Sequence, residues 1–337
     1  MRSLMKFTHV NAKTVDEALA ALAKGKAAVI GGGTDLLSAM RFEVLRDDMY
    51  PQTLVNLKTI VPSLSYIKEE GNILKIGALT RLEDIAENSI VKGKYAALAE
   101  AAHKTASPHI RAMGTIAGNI CQLNRCWYFR RSDNRFDCPR KGGERCYAVA
   151  GDNRDHSIFG SVMGCIAVNP SDTAPALVAL NAQIITTKRA IDAEKFWAVK
   201  IPGSTVLDPA EIVTEIQVPT PAAGLKSAFV KFALRTSIDF PIVNCAAAIG
   251  GGQSRVCLNA VYNLPYRATK AEDAIKGKAI DEANAEAAGA AAVQDAVTLP
   301  YTPAVQSVGL TAPAPPFGKW KVQLAKTLVK RAILGCK

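Results

Sequence analysis

Five cysteines, Cys121, Cys126, Cys138, Cys146 and Cys165, fall in a stretch that is otherwise polar and basic, reading GNICQLNRCWYFRRSDNRFDCPRKGGERCYAVAGDNRDH and then MGCIAVNPSD. The stretch offers almost nothing to a hydrophobic core, and a loop of that length inside a compact domain is either functional or disordered. Thiols left in an exposed loop oxidise, so a group of them points to something bound. Four thiolates are what an iron–sulfur cluster requires. Structural zinc favours close pairs such as C-x2-C, whereas the gaps between Cys126, Cys138, Cys146 and Cys165 hold eleven, seven and eighteen residues. Spacing alone leaves a cluster, zinc and unligated thiols as successive readings. Disulfides would need an oxidising compartment. The other cysteines, Cys245, Cys257 and Cys336, lie in apolar or terminal contexts, and no signal peptide is evident.

Two glycine segments can do a different chemistry. Val29-Ile30 leads into Gly31-Gly32-Gly33-Thr34-Asp35-Leu36. Successive backbone N–H groups can converge on a phosphate there without interference from Cβ atoms, and a helix starting near Thr34 adds its positive end. The segment has neither the G-x-G-x-x-G spacing nor the Lys-Ser/Thr of a P-loop, so a plain tight turn is the alternative. Arg111-Ala112-Met113-Gly114-Thr115-Ile116-Ala117-Gly118-Asn119 again joins small residues to a polar cap. The pair suggests a long anionic ligand gripped at two places, such as a dinucleotide. Pro170-Ser171-Asp172-Thr173 reads as a helix cap, although Ser171 and Asp172 could also reach sugar hydroxyls. His103, His109, Met40, Phe42, Cys245 and Cys257 read as structural. His156 could hydrogen-bond beside a cluster or lie exposed. Trp127 and Tyr128 could shield a cluster or anchor the loop.

The elements that must position these residues are legible as pattern. Thr14-Val-Asp-Glu17 and Thr80-Arg-Leu-Glu83 have capping-box spacing. Strands are predicted at 27–30, 53–57, 65–68, 73–78, 183–187 and 212–218, with an Ala-rich helix over 95–104 and a helix starting at Asp172-Thr-Ala-Pro175. Residues 220–224 read as a linker. Beyond it come strands at 228–234, 245–250 and 255–262, helices at 269–276 and 281–297, a Pro- and Ala-rich loop at 310–318, and a last helix over 320–334 that ends at Gly335 with basic residues in its final turns. No internal repeat is visible.

The chain has 337 residues, 49% of them apolar and 6% aromatic, which suits an α/β protein of two or three domains. No apolar run is long enough to span a bilayer, and the expected setting is cytoplasmic, with carriage by a partner's export signal compatible. A net charge of +11 admits nucleic-acid binding. The basic residues are spread along the chain, however, with concentrations only in the cysteine stretch and the last helix. Acidic partner subunits or an anionic cofactor explain them as well.

Taken in order, GGGTDL, G-T-x-x-G-N, S-D-x-x-P-A-L and Lys231-Phe-Ala-Leu-Arg235-Thr-Ser-Ile-Asp239 resemble the FAD-binding subunits of molybdenum hydroxylases, the xanthine dehydrogenase family, over essentially the whole chain. The cysteine stretch resembles the insertion of the flavin subunits of aldehyde oxidoreductases and 4-hydroxybenzoyl-CoA reductase, which carries an extra [4Fe–4S] cluster. RCWYFR and HSIFG look closer to the former and GNIC to the latter. The resemblance implies an α+β or α/β fold: a two-subdomain FAD-binding domain of the vanillyl-alcohol-oxidase/PCMH type, then a smaller α+β C-terminal domain. The expected bounds are 1–222 (subdomains near 1–58 and 59–222, insertion near 121–165) and 223–337. It also implies that Ile30, Gly31, Gly32, Gly33, Thr34, Asp35 and Leu36, with Gly114, Thr115, Gly118 and Asn119, cradle the FAD pyrophosphate. Val29, Arg111 and Ser171 belong to the same cofactor-binding set. Asp172 would meet the ribityl or sugar part, and Arg235 and Asp239 would lie near the flavin. Cys126, Cys138, Cys146 and Cys165 match the cluster ligands, with Cys121 spare. The implied partners are a large subunit with molybdenum cofactor and a small subunit with [2Fe–2S] clusters. The implied role is electron transfer to or from an external acceptor or donor, with no catalytic acid–base residue in this chain. A zinc-stabilised nucleic-acid-binding module and a stand-alone flavin oxidase are the competing classes.

Overall fold

The structure, a computed structural model, describes residues 5–149, 151–236, 238–297 and 318–337. Three sheets organise it. Strands β1 (Thr8–Asn11), β2 (Ala27–Ile30) and β3 (Thr53–Asn56) form a parallel sheet in the order β1-β3-β2, with Thr8 and Ala27 both opposite Thr53. A parallel pair needs a crossover, and helix Val15–Ala23 supplies one, its N-cap Thr14 accepting from the Glu17 amide at 3.1 Å.

Strands β4 (Ile67–Glu70), β5 (Ile73–Gly77), β6 (Gln183–Thr186), β7 (Ala190–Asp192) and β8 (Val213–Pro219) form an antiparallel sheet in the order β4-β5-β8-β6-β7. The chain leaves this sheet after β5 and returns at β6. The intervening residues carry the helices, the second glycine segment and the cysteine stretch.

Strands β9 (Lys226–Phe232), β10 (Val243–Gly250), β11 (Gln253–Asn259) and β12 (Tyr266–Arg267) form the third sheet, antiparallel in sequence order. Successive strand residues face opposite sides, and both faces are covered here. Phe229, Ala246, Ala248 and Cys257 join the core of helices Ala96–His103 and Thr173–Ala179, which also contains β5 and β8. Cys245, Ala247, Val256 and Leu258 pack against helices Thr269–Ile275, Glu282–Ala292 and Lys319–Leu334.

Several expectations need correction. Thr80 does not cap the helix Leu82–Glu87: its hydroxyl is held by the backbone of Tyr66, donating to the carbonyl and accepting from the amide, and the N-cap is Arg81. The predicted strand at 65–68 starts two residues later, at Ile67, and runs to Glu70. The strand expected over 255–262 runs Gln253–Asn259 and ends where Ala260 takes a left-handed φ of 59°. The helix expected to reach 297 stops at Ala292, because Val297 donates to the Ile158 carbonyl and bridges Phe159. The loop read at 310–318 lies, except for Gly318, outside the described residues. The cysteine stretch does have a core: Phe129 and Cys138 are buried with Met40, Tyr50 and Leu54. Phe42, read as a packing residue, is half exposed.

Candidate cofactor sites

The two glycine segments lie back to back. β2 ends at Ile30, and the turn continues through Gly33, whose φ of 71° is left-handed. Helix Leu36–Arg41 follows, so the expected helix start near Thr34 falls close by. A Cβ on Gly32 would stand 2.1 Å from the Met113 carbonyl oxygen, so the first segment touches the backbone of the second. There Thr115 caps helix Ile116–Cys121 by accepting from the Gly118 amide at 3.1 Å.

Together they open on a cleft of about 250 Å³ lined by Thr34, Asp35, Gly114, Thr115, Gly118, Asn119, Asp172 and Asp239, among others. The structure thus brings these eight expected residues to one space. Gly31, Gly32 and Gly33 form the turn just before Thr34. Val29, Ile30 and Leu36 pack behind the turn into neighbouring cores. Arg111 is buried as a brace: it pairs with Glu83 at 2.8 Å and donates to the carbonyls of Thr105 and Ala106. Arg235 is exposed and paired with Asp239. It lines a second, adjoining cavity of about 450 Å³.

The Ser171-Asp172 pair divides its work. Ser171 performs the cap, its hydroxyl accepting from the Ala174 amide and donating to Asn119 Oδ1. Asp172 makes no side-chain cap bond. Its two carboxylate oxygens accept from Lys231 Nζ and Asn244 Nδ2, each at 2.7 Å. Burial pushes the Asp172 carboxyl up, and the Lys231 ammonium opposes that shift. Lys231 and Asn244 come from β9 and β10, so this contact ties the third sheet to the cleft. Asn244 escaped the sequence reading because a single Asn in an apolar strand carries no local signal.

The cysteine stretch closes on itself. Cys126, Cys138, Cys146 and Cys165 line one small cavity. Cys121 lies outside it, at the end of its helix and packed against the main core. The cavity suits anionic sulfur. The Ala167 amide donates to Cys165 Sγ at 3.4 Å, and the Arg140 guanidinium stands 3.9 Å from the same atom. Arg140 is itself fixed by the carbonyls of Lys200, Pro202 and Gly203. Lys141 is fully buried, on Asn134 Oδ1 and over the Phe129 ring. His156 Nε2 lies 3.2 Å from Cys126 Sγ. Asn124 Nδ2 lies buried at the cavity's edge without a hydrogen-bond partner among the described residues. Burial raises the Cys126 thiol to about 12, against the Phe129 and Tyr128 amides. Burial also raises the Cys138 thiol, with the Arg140 amide opposing the shift. Among the described residues, no three His, Cys, Asp or Glu side chains converge as ligands of one metal ion. The four cysteines instead line the wall of one cavity. Trp127 is exposed and lines the second cavity, while the Tyr128 hydroxyl accepts from the Asp152 amide.

With this geometry in hand, the chain can be set beside known proteins. Residues 5–221 match the FAD binding domain in molybdopterin dehydrogenase, and residues 228–307 the CO dehydrogenase flavoprotein C-terminal domain. The chain is 33% identical over 279 residues to the aldehyde oxidoreductase FAD-binding subunit PaoB of Escherichia coli, covering 79% of this chain and 85% of that one. It is 27% identical over 300 residues to the carbon monoxide dehydrogenase medium chain of Hydrogenophaga pseudoflava, covering 86% of each. The solved carbon monoxide dehydrogenase of that organism superposes with a TM-score of 0.70 at 26% identity, over 99% of this chain and 98% of that one. The glycine-lined cleft, the order of the sheets and these matches agree: the chain belongs to the FAD-binding subunits of the molybdopterin dehydrogenase family, oxidoreductases of the molybdenum hydroxylase type.

Proposed function

We propose that this subunit holds FAD in the glycine-lined cleft and a [4Fe–4S] cluster in the cysteine chamber, and works in electron transfer. The observation that carries the reading is the shared wall. Arg125 and Cys126 border the cavity beside the flavin cleft, and Cys126 also faces the chamber. Thr34, Gly114, Thr115, Gly118 and Asn119 would hold the FAD backbone, and Cys126, Cys138, Cys146 and Cys165 the cluster. When bound, the two groups supply one- and two-electron redox chemistry. The chain's own residues fix their positions and surround the cluster with Arg140, Lys141 and N–H donors. In this reading the domains run 1–222, with subdomains near 1–58 and 59–222, and 223–337. A large molybdenum-cofactor subunit and a small [2Fe–2S] subunit are the partners, in the cytoplasm, where thiols stay reduced. The organic substrate (an aldehyde, an aromatic acyl-CoA or an N-heterocycle) reacts in the large subunit, and electrons pass between the small subunit and an external acceptor or donor.

Metal and flavin analysis of the complex purified intact tests this. The expected result is one FAD per chain and, beyond the small subunit's iron, about four further irons with acid-labile sulfide. Cys138→Ser should remove those irons and leave most of the flavin. Stoichiometric zinc without flavin would favour the nucleic-acid module instead. Substrate oxidation by this chain alone would favour the stand-alone oxidase.

A further inference from the structure

Asp35 stands at the N-cap of helix Leu36–Arg41 yet makes no side-chain bond to that helix. Its carboxylate is turned to the cysteine stretch. Oδ2 accepts from the Leu123 amide at 2.9 Å, and Oδ1 accepts from Arg125 and Arg130, each at 2.8 Å. These arginines flank Cys126. Arg130 also donates to the carbonyls of Leu123 and Asn124, and its amide donates to the Cys126 carbonyl at 2.9 Å. The turn that carries Cys126 is thus closed around a residue of the glycine segment. Arg125 reaches the other way. It donates to Gln122 Oε1 and lies 4.5 Å from the centre of the Phe240 ring, and all three residues line the glycine cleft.

We propose that Asp35 and Arg125 are positioning residues that couple the two sites, so that filling the glycine cleft and filling the cysteine chamber each strengthen the other. The proposal rests on the reading of these spaces as FAD and cluster sites. Two guanidinium groups on one carboxylate leave a surplus positive charge in a half-buried corner. An anion in the cleft and ionised sulfur in the chamber each offset it. The cations favour each anion separately, and the repulsion between the two anionic groups is left to be outweighed by the geometry. The geometric link carries the coupling: a ligand in the cleft that fixes Arg125 and Asp35 also fixes the Leu123–Arg130 turn, and with it Cys126. Coupling between sites is reciprocal by thermodynamic necessity.

The test measures FAD affinity in the intact complex after flavin removal, once with iron in place and once after chelation. The iron-replete wild type should bind FAD about tenfold more tightly than the iron-depleted form, within the usual range of coupling between sites. In Asp35→Asn and Arg125→Gln that ratio should fall towards one. Arg125→Lys keeps the charge but loses the planar fork, so it should retain only part of the ratio. A purely structural role would lower both affinities and leave the ratio unchanged, which overturns the proposal, as does a ratio of one in the wild type. A native complex with flavin but no iron beyond the small subunit's overturns the cluster reading and this proposal with it. Iron present with a ratio of one overturns only the coupling. If Asp35→Asn does not accumulate, the same ratio is read from the two Arg125 variants.

Discussion

Gly32 has no room for a side chain, since any Cβ would stand 2.1 Å from the Met113 carbonyl oxygen. Gly32→Val must push the two glycine segments apart, and overpacking of this kind costs about 1–3 kcal/mol. The expected outcome is a folded chain that purifies nearly free of flavin, read from its visible absorption per protein. Full flavin occupancy would remove this turn from the site. The run of three glycines announced backbone freedom, but the partner that demands it comes from a distant segment and was invisible in the sequence. Cysteines behave the same way. Five thiols in one stretch were legible and the choice of four among them rested on the resemblance, whereas the walls they line are a matter of the fold. Cys121 terminates a helix and faces the main core, where burial lifts its thiol to about 12. Cys121→Ser should therefore leave the iron content of the complex unchanged. Loss of all cluster iron in that variant, with iron retained in Cys165→Ser, would reverse the ligand assignment.

Between elements, the fold depends on a few buried charges that no local pattern announces. Strands such as β2 and β5 and the Ala-rich helix were legible because periodicity and propensity act within each segment. The Thr80 cap failed because a distant backbone, that of Tyr66, took its hydroxyl. The contact of Asp172 with Lys231 has side chains only 3% and 7% exposed and joins the start of helix Thr173–Ala179 to β9. Removing one partner of a buried pair costs about 3–5 kcal/mol. Lys231→Met should lower the unfolding midpoint accordingly, and adding Asp172→Asn should recover much of the loss. Strictly additive effects would mean that the two side chains do not interact. Glu211 gives a pH-dependent counterpart. Burial would raise its carboxyl, but the Arg189 guanidinium, the Asp208 amide and the Thr186 hydroxyl outweigh it and hold the group at about 2, below its ordinary 4.5. Its folded-state pKa is depressed, so its stabilisation is complete above pH 4.5 and is lost as the pH falls towards 2. Glu211→Gln should cost about 1.5–3 kcal/mol at neutral pH, the usual worth of a hydrogen-bonded charge. Its melting temperature should converge on that of the parent below pH 4.5. A gap that stays constant down to pH 2 would contradict the ionised contact.

At the scale of the whole molecule, several titratable groups around the cavities are already committed to partners within the chain. Asp172 is held by Lys231 and Asn244, Asp239 by Arg235, and the Nε2 of His156 by Cys126 Sγ. Burial first, and the Lys321 charge second, push His156 down to about 4, so it is neutral at physiological pH. Lys321, fully buried and pushed down to about 7 by burial, donates to the carbonyls of Asp155 and His156 rather than facing either cavity. These groups hold the architecture. The rims, by contrast, present large apolar side chains, with Leu234 85% and Trp127 60% exposed, on a chain of net charge +11. Surfaces of that kind bind partners, and oppositely charged partners associate faster and more tightly at low salt. The expected outcome is that the separated chain, even with its flavin, oxidises neither aldehydes nor N-heterocycles. Activity should return on recombination with the other subunits, with an apparent affinity that weakens as ionic strength rises past the point where the Debye length is about 10 Å. Size-exclusion profiles and turnover, measured side by side over a salt series, provide the check. A chain that migrates alone from native extract and oxidises substrate at the full rate would remove the subunit reading altogether.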